Sequence, residues 1–190
     1  MRIHVTYTGG TIGMVDSPRG LTPGADPENR LDAALKEAGR SIGGISLTAL
    51  SPLIDSSDAT PESWQRIIDD LRAGASEADA FVVLHGTDTM AHTCAALSYA
   101  LTDLDRPVVV TGSQLPLGAV GSDAAPNIAG ALHAAASRRA QGVSLFFGHR
   151  LLAGNRAVKA SSWAFDAFDS PAAAPLARAG APWRWTPAPP

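Results

Sequence analysis

Two short, uninterrupted apolar runs constrain the fold of this chain more than any other feature of its sequence. Residues 81–84 read Phe-Val-Val-Leu and residues 108–110 read Val-Val-Val. A strand with one face in water alternates polar and apolar residues, whereas a strand buried on both faces does not. Both runs therefore predict strands of a parallel sheet whose two faces are covered by helices.

Segments rich in β-branched residues alternate with Ala- and Leu-rich segments along the chain. Strands are predicted at residues 3–7, 45–50, 80–85, 107–111 and 142–147, and helices at residues 27–38, 61–73, 89–101 and 123–140. This alternation predicts an α/β fold, a doubly wound parallel sheet with helices on both faces. At 190 residues the chain is long enough for a single such domain with a sizeable core.

Two segments do not follow this pattern. Residues 13–27 are rich in Gly, Pro, Asp and Ser, which predicts a long mobile loop. Residues 171–190 contain six prolines and two tryptophans, and we expect an incompletely ordered end there. Trp183 and Trp185 are candidates to pack this tail against the body or a neighbouring subunit. We therefore place the α/β domain at residues 1–170 and a Pro/Trp-rich tail at residues 171–190.

Charge and cysteine content exclude several classes of protein. The net charge is −3 and no basic stripe is present, so no nucleic-acid partner is expected. No apolar stretch approaches the roughly 20 residues of a membrane helix, so no membrane partner is expected. The single Cys94 excludes an internal disulfide framework, and the chain opens on a predicted strand rather than a secretory signal. These features predict a cytoplasmic protein.

Polar residues and glycines follow four of the predicted strands. The clusters read Thr-Gly-Gly-Thr-Ile-Gly at 8–13, Asp-Ser-Ser-Asp at 55–58, His-Gly-Thr-Asp-Thr at 85–89 and Thr-Gly-Ser-Gln at 111–114. In open α/β sheets, ligands bind beyond the carboxyl ends of the strands. Any one cluster is explained equally well as an ordinary turn or helix cap, but four on one edge predict a binding site.

The clusters leave only some kinds of chemistry open. No group of His, Cys, Asp and Glu has metal-ligand spacing, and no G-x-G-x-x-G, G-x-x-x-x-G-K-[ST] or G-x-S-x-G segment occurs. We therefore expect a hydroxyl nucleophile and neither a metal nor a cofactor. A threonine hydroxyl needs a base or proton relay, for which Asp88, beside Thr87, and Lys159 are candidates. A lone lysine is more often a solvated surface residue, and spacing alone leaves both interpretations open.

The polar clusters resemble the signature segments of the bacterial L-asparaginase (asparaginase/glutaminase) family. The likeness begins at residues 8–12 and 85–90 and continues through residues 55–58, 111–114 and Gly-Asn-Arg at 154–156 to Lys159. Residues 164–171 also resemble the cytoplasmic branch of that family. The resemblance covers about residues 1–171, which correspond to the family's larger N-terminal domain.

The resemblance implies a role for each matching residue. Thr11 would attack the amide carbon and form an acyl-enzyme. Thr87, Asp88 and Lys159 would form a second polar group across the substrate. In that group Lys159 would pass protons through Thr87, and Asp88 would also bind the α-amino group of the substrate.

Five further positions are implied to bind the substrate, namely Gly10, Ser56, Ser57, Gly86 and Ser113. The two adjacent serines would hold the α-carboxylate and amino end. Backbone groups around Thr11 and Thr87, with their preceding glycines, would cradle the oxyanion, and the Ser113 carbonyl would receive the leaving amide. The alternative is that Thr11 and Thr87 cap turns and that Asp88 caps the following helix.

The chain departs from the family pattern in two ways. The family's mobile loop carries a tyrosine beside the nucleophile, whereas residues 20–23 here read Gly-Leu-Thr-Pro, and Leu21 has no hydroxyl. Activation of Thr11 would then come from elsewhere, with Lys159 acting through Thr87 as one candidate. We also expect a short form without the family's C-terminal domain and without the acidic residue that this domain lends to a neighbour's site.

The sequence therefore predicts an amidohydrolase that converts L-asparagine to L-aspartate and ammonia, with L-glutamine as a slower substrate. The expected partners are this small-molecule substrate and further copies of the chain in a homo-oligomer. One alternative is a non-catalytic amino-acid-binding domain that retains the pocket, which Leu21 favours. Another is an amidase subunit acting on a larger amide such as an aminoacyl-tRNA, against which the absence of a basic pattern counts.

Overall fold

The computed structural model describes residues 1–187, which form twelve strands and four α-helices. The strands are β1 (Arg2–Tyr7), β2 (Met14–Ser17), β3 (Gly20–Pro23), β4 (Gly44–Ala49), β5 (Ala80–Leu84), β6 (Val108–Thr111), β7 (Val143–Phe147), β8 (Arg150–Ala153), β9 (Val158–Lys159), β10 (Phe168–Asp169), β11 (Ala177–Arg178) and β12 (Arg184–Trp185). The helices are α1 (Pro27–Ala38), α2 (Pro61–Ala73), α3 (Met90–Ala100) and α4 (Ala124–Ser137).

One eight-stranded sheet organises the chain, in the order β12-β11-β8-β7-β6-β5-β1-β4. The five predicted strands, from β4 to β7 in this order, are all parallel. The other three strands join the sheet through antiparallel pairings. The predicted α/β fold with a parallel sheet and helices on both faces is confirmed, and the antiparallel strands β8, β11 and β12, which were not predicted, make the sheet mostly rather than wholly parallel.

The strand β5 shows why residues 81–84 lack alternation. Val82 and Leu84 belong to the core on the side of α1 and α4, whereas Phe81 and Val83 belong to the core on the side of α2 and α3. All four side chains are fully buried. Burying such a side chain stabilises the folded state by about 1.5–3 kcal/mol, so the side chains on both faces of β5 favour a position between two layers of helices.

Local signals fix the ends of the helices. α1 and α2 each begin at a proline, Pro27 and Pro61, which lacks the N–H that the first turn would leave unpaired. Their predicted bounds are confirmed. α4 ends at Ser137, three residues before the predicted end, because Arg138 takes a left-handed conformation with φ 54°. No helix within residues 1–187 combines the length and apolar content needed to cross a bilayer.

The segment 13–27, predicted as a long mobile loop, contains regular structure. β2 and β3 pair antiparallel in this segment and form a hairpin. The Ser17 hydroxyl donates to the Gly20 carbonyl at 2.6 Å and accepts from the Arg19 N–H at 3.2 Å. The polar residues that suggested an irregular loop thus make the local hydrogen bonds that close a tight turn.

The C-terminal segment also differs from the expectation of an incompletely ordered end. β11 pairs with β8, and β12 pairs with β11, so residues up to 185 extend the sheet. The Trp183 ring stacks on His133 and Phe146, with centroid distances of 4.4 and 5.6 Å. The predicted division at residue 170 therefore does not coincide with the end of the sheet. Residues 188–190 of the predicted tail lie outside the described residues.

We expect Trp183→Ala to lower the free energy of unfolding by about 2 kcal/mol, because it removes apolar burial and three stacking contacts, those with His133, Phe146 and Trp185. Tyr99→Ala is the matched control. Tyr99 is 73% exposed, so its loss should change the free energy of unfolding by less than about 0.5 kcal/mol. Urea denaturation measures both values, and equal losses in the two variants would contradict a tail packed through Trp183.

Candidate active site

The four polar clusters lie together at the carboxyl ends of the parallel strands. Backbone hydrogen bonds join the segments that leave these strands. The Thr8 N–H donates to the Leu84 carbonyl at 2.9 Å, and the Ile54 N–H donates to the Thr8 carbonyl at 2.6 Å. The His85 N–H donates to the Thr111 carbonyl at 2.8 Å. The predicted meeting of the clusters at one sheet edge therefore follows from strand register.

The segments that carry Thr11 and Thr87 touch through the glycines that precede these threonines. A Cβ atom on Gly10 would lie 2.5 Å from the Gly86 Cα and 2.6 Å from the Gly86 nitrogen. Gly10 also has φ 87°, a conformation that side chains other than glycine rarely adopt. The contact therefore requires glycine, and it holds the two threonines on adjoining segments.

Ser56 and Ser57 have different surroundings. The buried Ser56 hydroxyl lies so close to Gly86 that a Cβ there would overlap it. The Ser56 carbonyl accepts from the Thr89 hydroxyl at 2.6 Å. Ser57 is exposed, and its N–H and hydroxyl donate to Asp55 at 2.9 and 2.8 Å, which lowers the pKa of that carboxyl. Ser56 is thus at the glycine contact, whereas the Ser57 hydroxyl binds Asp55.

Lys159 binds both Thr87 and Asp88. Its Nζ lies 3.0 Å from Thr87 Oγ1 and 2.7 Å from Asp88 Oδ1. The lysine comes from β9, which pairs antiparallel with β10 and contacts α3. The Lys159 side chain is 18% exposed and that of Asp88 is 62% exposed, while Thr87 is buried. The carboxylate therefore meets solvent, and the hydroxyl lies at the inner end of the group.

Thr11 begins a short 3-10 turn, Thr11–Gly13, directly beyond β1, where it is half-buried. The Tyr7 phenol lies against this turn, because a Cβ on Gly13 would overlap its oxygen. Burial raises the pKa of Tyr7 to about 12, an effect that Arg30 opposes and Glu28 increases. Tyr7 therefore stays protonated. Sequence reasoning missed this hydroxyl, because Tyr7 counted only as the last residue of a strand.

The segment that contains Ser113 is fixed by a buried carboxylate. The Ser113 hydroxyl donates to the Leu115 carbonyl at 2.5 Å. Both oxygens of Asp123 accept the Gln114 N–H, at 3.1 and 2.9 Å, and one also accepts the Leu115 N–H at 3.0 Å. Asp123 is 7% exposed. The sequence indicated it only as the start of a helix, because its partners lie 8 and 9 residues away in an irregular segment.

A buried histidine supports the Gly86–Thr87 segment and was also missed. The His85 Nδ1 lies 2.7 Å from the Gly86 carbonyl, which can only accept, so Nδ1 carries the proton. The Nε2 then accepts from the Thr93 hydroxyl at 3.0 Å, and Thr93 accepts from Trp64 Nε1 at 3.1 Å. Burial lowers the pKa of His85, against a smaller opposing effect of the Gly86 carbonyl. His85 is therefore a neutral structural support.

Comparisons with known proteins find a matching family model and several relatives of this chain. The family model described as "Asparaginase, N-terminal" matches residues 2–189. The chain is 48% identical to L-asparaginase 1 of Escherichia coli K12 over 179 residues, which are 94% of this chain and 53% of that protein.

Two solved structures share this fold over more than nine tenths of the chain. The L-asparaginase I of Vibrio cholerae has a TM-score of 0.87 at 43% identity, covering 97% of this chain and 56% of that one. The probable cytoplasmic L-asparaginase of Campylobacter jejuni has a TM-score of 0.80 at 33% identity, covering 93% and 55%. This chain spans about half the length of the curated relatives it matches.

We expect Gly10→Ala to lower the free energy of unfolding by about 3 kcal/mol, since it combines a strained φ with overlap against Gly86. Gly20→Ala is the matched control, because Gly20 has φ 95° but no atom within 4 Å of a Cβ placed there. The control should lose only about 1 kcal/mol. Chemical denaturation compares the two, and equal losses would show that the close backbone contact is absent.

The buried His85 predicts a pH dependence of stability. Its pKa is lowered in the folded chain, so the unfolded chain binds the proton more readily below the ordinary value of 6.5. Its contribution is complete above that pH and is lost as the pH falls, at up to about 1.4 kcal/mol per pH unit. Unfolding measured between pH 7 and 5 should show a shallower slope in His85→Gln. Parallel slopes would mean that His85 is protonated in the folded state.

Proposed function

Because this chain belongs to the asparaginase family, we propose that it hydrolyses the side-chain amide of L-asparagine to L-aspartate and ammonia. The observation that carries the proposal is the position of Lys159, 3.0 Å from the Thr87 hydroxyl and 2.7 Å from the Asp88 carboxylate. Most lysine side chains are solvated, and a hydrogen bond from lysine to a buried threonine hydroxyl is unusual among them. It gives the site a proton donor connected to a reactive-site hydroxyl.

Thr11 is the proposed nucleophile. Its Oγ attacks the amide carbon, the tetrahedral intermediate expels ammonia, and an aspartyl ester of Thr11 remains. Water then hydrolyses this ester and restores the Thr11 hydroxyl. Thr11 loses one proton in the first step and the leaving nitrogen gains one, so the site must supply a shuttle rather than a net acid or base.

The group of Thr87 and Lys159 is the proposed shuttle. A protonated lysine only donates hydrogen bonds, so Thr87 Oγ1 accepts from Lys159 and its own proton is free to point to the substrate. Thr87 then protonates the leaving nitrogen and is replenished by Lys159, and the neutral Lys159 is restored by the proton that Thr11 loses. Leu21, on β3, offers no hydroxyl to perform the same step.

Charged and polar groups match an amino acid at its other end. We propose that the exposed Asp88 carboxylate binds the α-ammonium group, and that the Ser56 hydroxyl binds the α-carboxylate together with the Ser57 hydroxyl, which must first leave Asp55. A site that binds both charges rejects simple amides, because its own polar groups would be left unpaired. Discrimination between asparagine and glutamine concerns one methylene, worth about 1–3 kcal/mol, so we propose glutamine as a slower substrate.

The oxyanion would be held by backbone groups at the contact of Gly10 with Gly86. Each hydrogen-bond donor that is well placed for the oxyanion lowers the activation free energy by about 3 kcal/mol. Glycines leave the backbone N–H groups uncovered by side chains, so a substrate can approach them closely. The Ser113 carbonyl is the proposed acceptor for the leaving amide, since the Asp123 carboxylate fixes the segment that follows it.

We propose a cytoplasmic homo-oligomer as the working form. The Campylobacter relative is described as cytoplasmic. Val158, Trp163 and Phe165, which lie close to Lys159 in the sequence, have exposed apolar side chains that a second copy of the chain would bury.

Replacing the proposed nucleophile tests the reaction. Thr11→Ala should lower ammonia release from L-asparagine by about 10³-fold or more while L-asparagine still binds. Thr102→Ala, at an exposed threonine beyond α3, is the matched control and should keep the full rate. Ammonia release and calorimetric binding give the two readouts. If the unaltered chain binds L-asparagine without releasing ammonia, it is an amino-acid-binding domain instead.

The two lysines of the chain allow a controlled test of the shuttle. Lys159→Met should lower kcat by about 10²–10⁴-fold, the usual value of a positioned proton donor. Lys36→Met is its control, because Lys36 is 68% exposed and pairs only with Asp32 on α1. The shuttle is contradicted if Lys159→Met changes KM for L-asparagine but leaves kcat unaltered.

A further inference from the structure

A second group of polar side chains is hydrogen-bonded in the order Ser46, His4, Asp70. The Ser46 Oγ lies 3.1 Å from His4 Nδ1, and the Asp70 Oδ2 lies 2.9 Å from His4 Nε2. None of these residues belongs to the site of Thr11 and Thr87. A hydrolytic triad consists of a nucleophile, a general base and an acid that orients the base, and this group contains a residue suited to each role. Such a triad is recognised by geometry and roles rather than by sequence position.

Strand register and helix packing bring the three side chains together. His4 and Ser46 are direct partners in the parallel pairing of β1 with β4, so they share one face of the sheet. Asp70 comes from α2, which covers β1 on that face. β4 is the last strand of the sheet, so Ser46 is exposed while His4 is buried. The nucleophile of the group is therefore the member that a substrate can reach.

The hydrogen bonds fix which nitrogen of the imidazole is available. Asp70 Oδ2 also accepts from the Thr6 hydroxyl at 2.5 Å, so this oxygen acts as an acceptor. His4 Nε2 therefore donates to Asp70, and the unprotonated Nδ1 accepts the Ser46 proton. Phe81 packs edge-on against the ring with centroids 6.1 Å apart, and a Cβ on Gly74 would lie 3.2 Å from it. The ring is thus held in the orientation that a general base requires.

Ser46 and His4 line a cavity of about 480 Å³ that opens between β4, the start of β1 and the end of α2. This volume is within the usual range of small-molecule sites. Arg2 and Glu77 also line it, so the cavity carries one cation and one anion. A neutral substrate suits this balance, and Arg2 offers a cation to a developing oxyanion.

We propose that Ser46, His4 and Asp70 form a second hydrolytic site that cleaves small neutral carboxylic esters. Ser46 Oγ attacks the ester carbon while His4 Nδ1 takes its proton. Collapse of the tetrahedral intermediate expels the alcohol, which recovers that proton from His4, and leaves an acyl-Ser46 ester. Water, activated by His4, hydrolyses this ester to the carboxylic acid and restores the serine. Asp70 is a positioning residue that fixes the tautomer of His4 and stabilises its cation.

The test uses the Thr11→Ala chain, in which the first site cannot contribute. The probes are 4-nitrophenyl acetate, for turnover, and a fluorophosphonate, which labels activated serines covalently. Ser46→Ala should lower 4-nitrophenolate release by about 10²-fold or more, and Ser41→Ala, at another exposed serine, should leave it unchanged. Asp70→Asn should lower kcat by about 10²–10⁴-fold with little change in KM, because the wrong tautomer is then favoured.

Peptide mass spectrometry identifies the labelled residue, and thermal unfolding of each variant confirms that it is folded. Fluorophosphonate on Ser46, together with the loss of turnover in a folded Ser46→Ala chain, supports the second site. The proposal is overturned if 4-nitrophenyl acetate is not hydrolysed faster than in buffer, if the Ser46→Ala rate equals that of its parent, or if the label is on another residue. These outcomes are independent of ammonia release from L-asparagine.

Discussion

The contact between the backbones of Gly10 and Gly86 is the constraint on which the candidate active site depends. It joins the segments that leave β1 and β5, two neighbouring parallel strands, and it leaves no room for a Cβ on Gly10. Thr11 and Thr87 follow these two glycines directly. The distance between the two hydroxyls that we propose to react is therefore set by backbone packing, and side-chain flexibility has little influence on it.

Buried hydrogen bonds keep this backbone in place. His85 binds the Gly86 carbonyl and is itself held through Thr93, and the Asp123 carboxylate binds the segment beyond β6. Each of these groups is buried, so an unpaired partner would cost about 1–3 kcal/mol. The supporting residues are thus neutral or paired, whereas Asp88, the proposed partner of the substrate's α-ammonium group, meets solvent. Because the supporting residues are buried and Asp88 is exposed, the backbone of the site is held rigidly while a substrate can still reach it.

The sequence predicted the fold closely and the site in part. The apolar runs in β5 and β6 predicted a parallel sheet covered by helices on both faces, because strands that are buried on both faces are typical of such sheets. The polar clusters predicted that these segments lie together, because strand ends meet at one edge, and the roles of their residues stay predictions. The hairpin of β2 and β3 and the packing of Trp183 were not predictable, since they depend on a local hydrogen-bonded turn and on partners about 40–50 residues away. The supporting role of His85 was missed, although its cluster was identified, because a buried neutral histidine has no signature in spacing.

The covalent step at Thr11 is the claim on which the proposed activity depends. The most direct test is peptide mass spectrometry of the chain after rapid acid quenching with L-asparagine, with hydroxylamine added in parallel samples to intercept an acyl group. The account predicts an aspartyl ester on Thr11 and aspartyl hydroxamate in the hydroxylamine samples. An aspartyl group on another residue, or ammonia release with neither an acylated chain nor any hydroxamate, would contradict it.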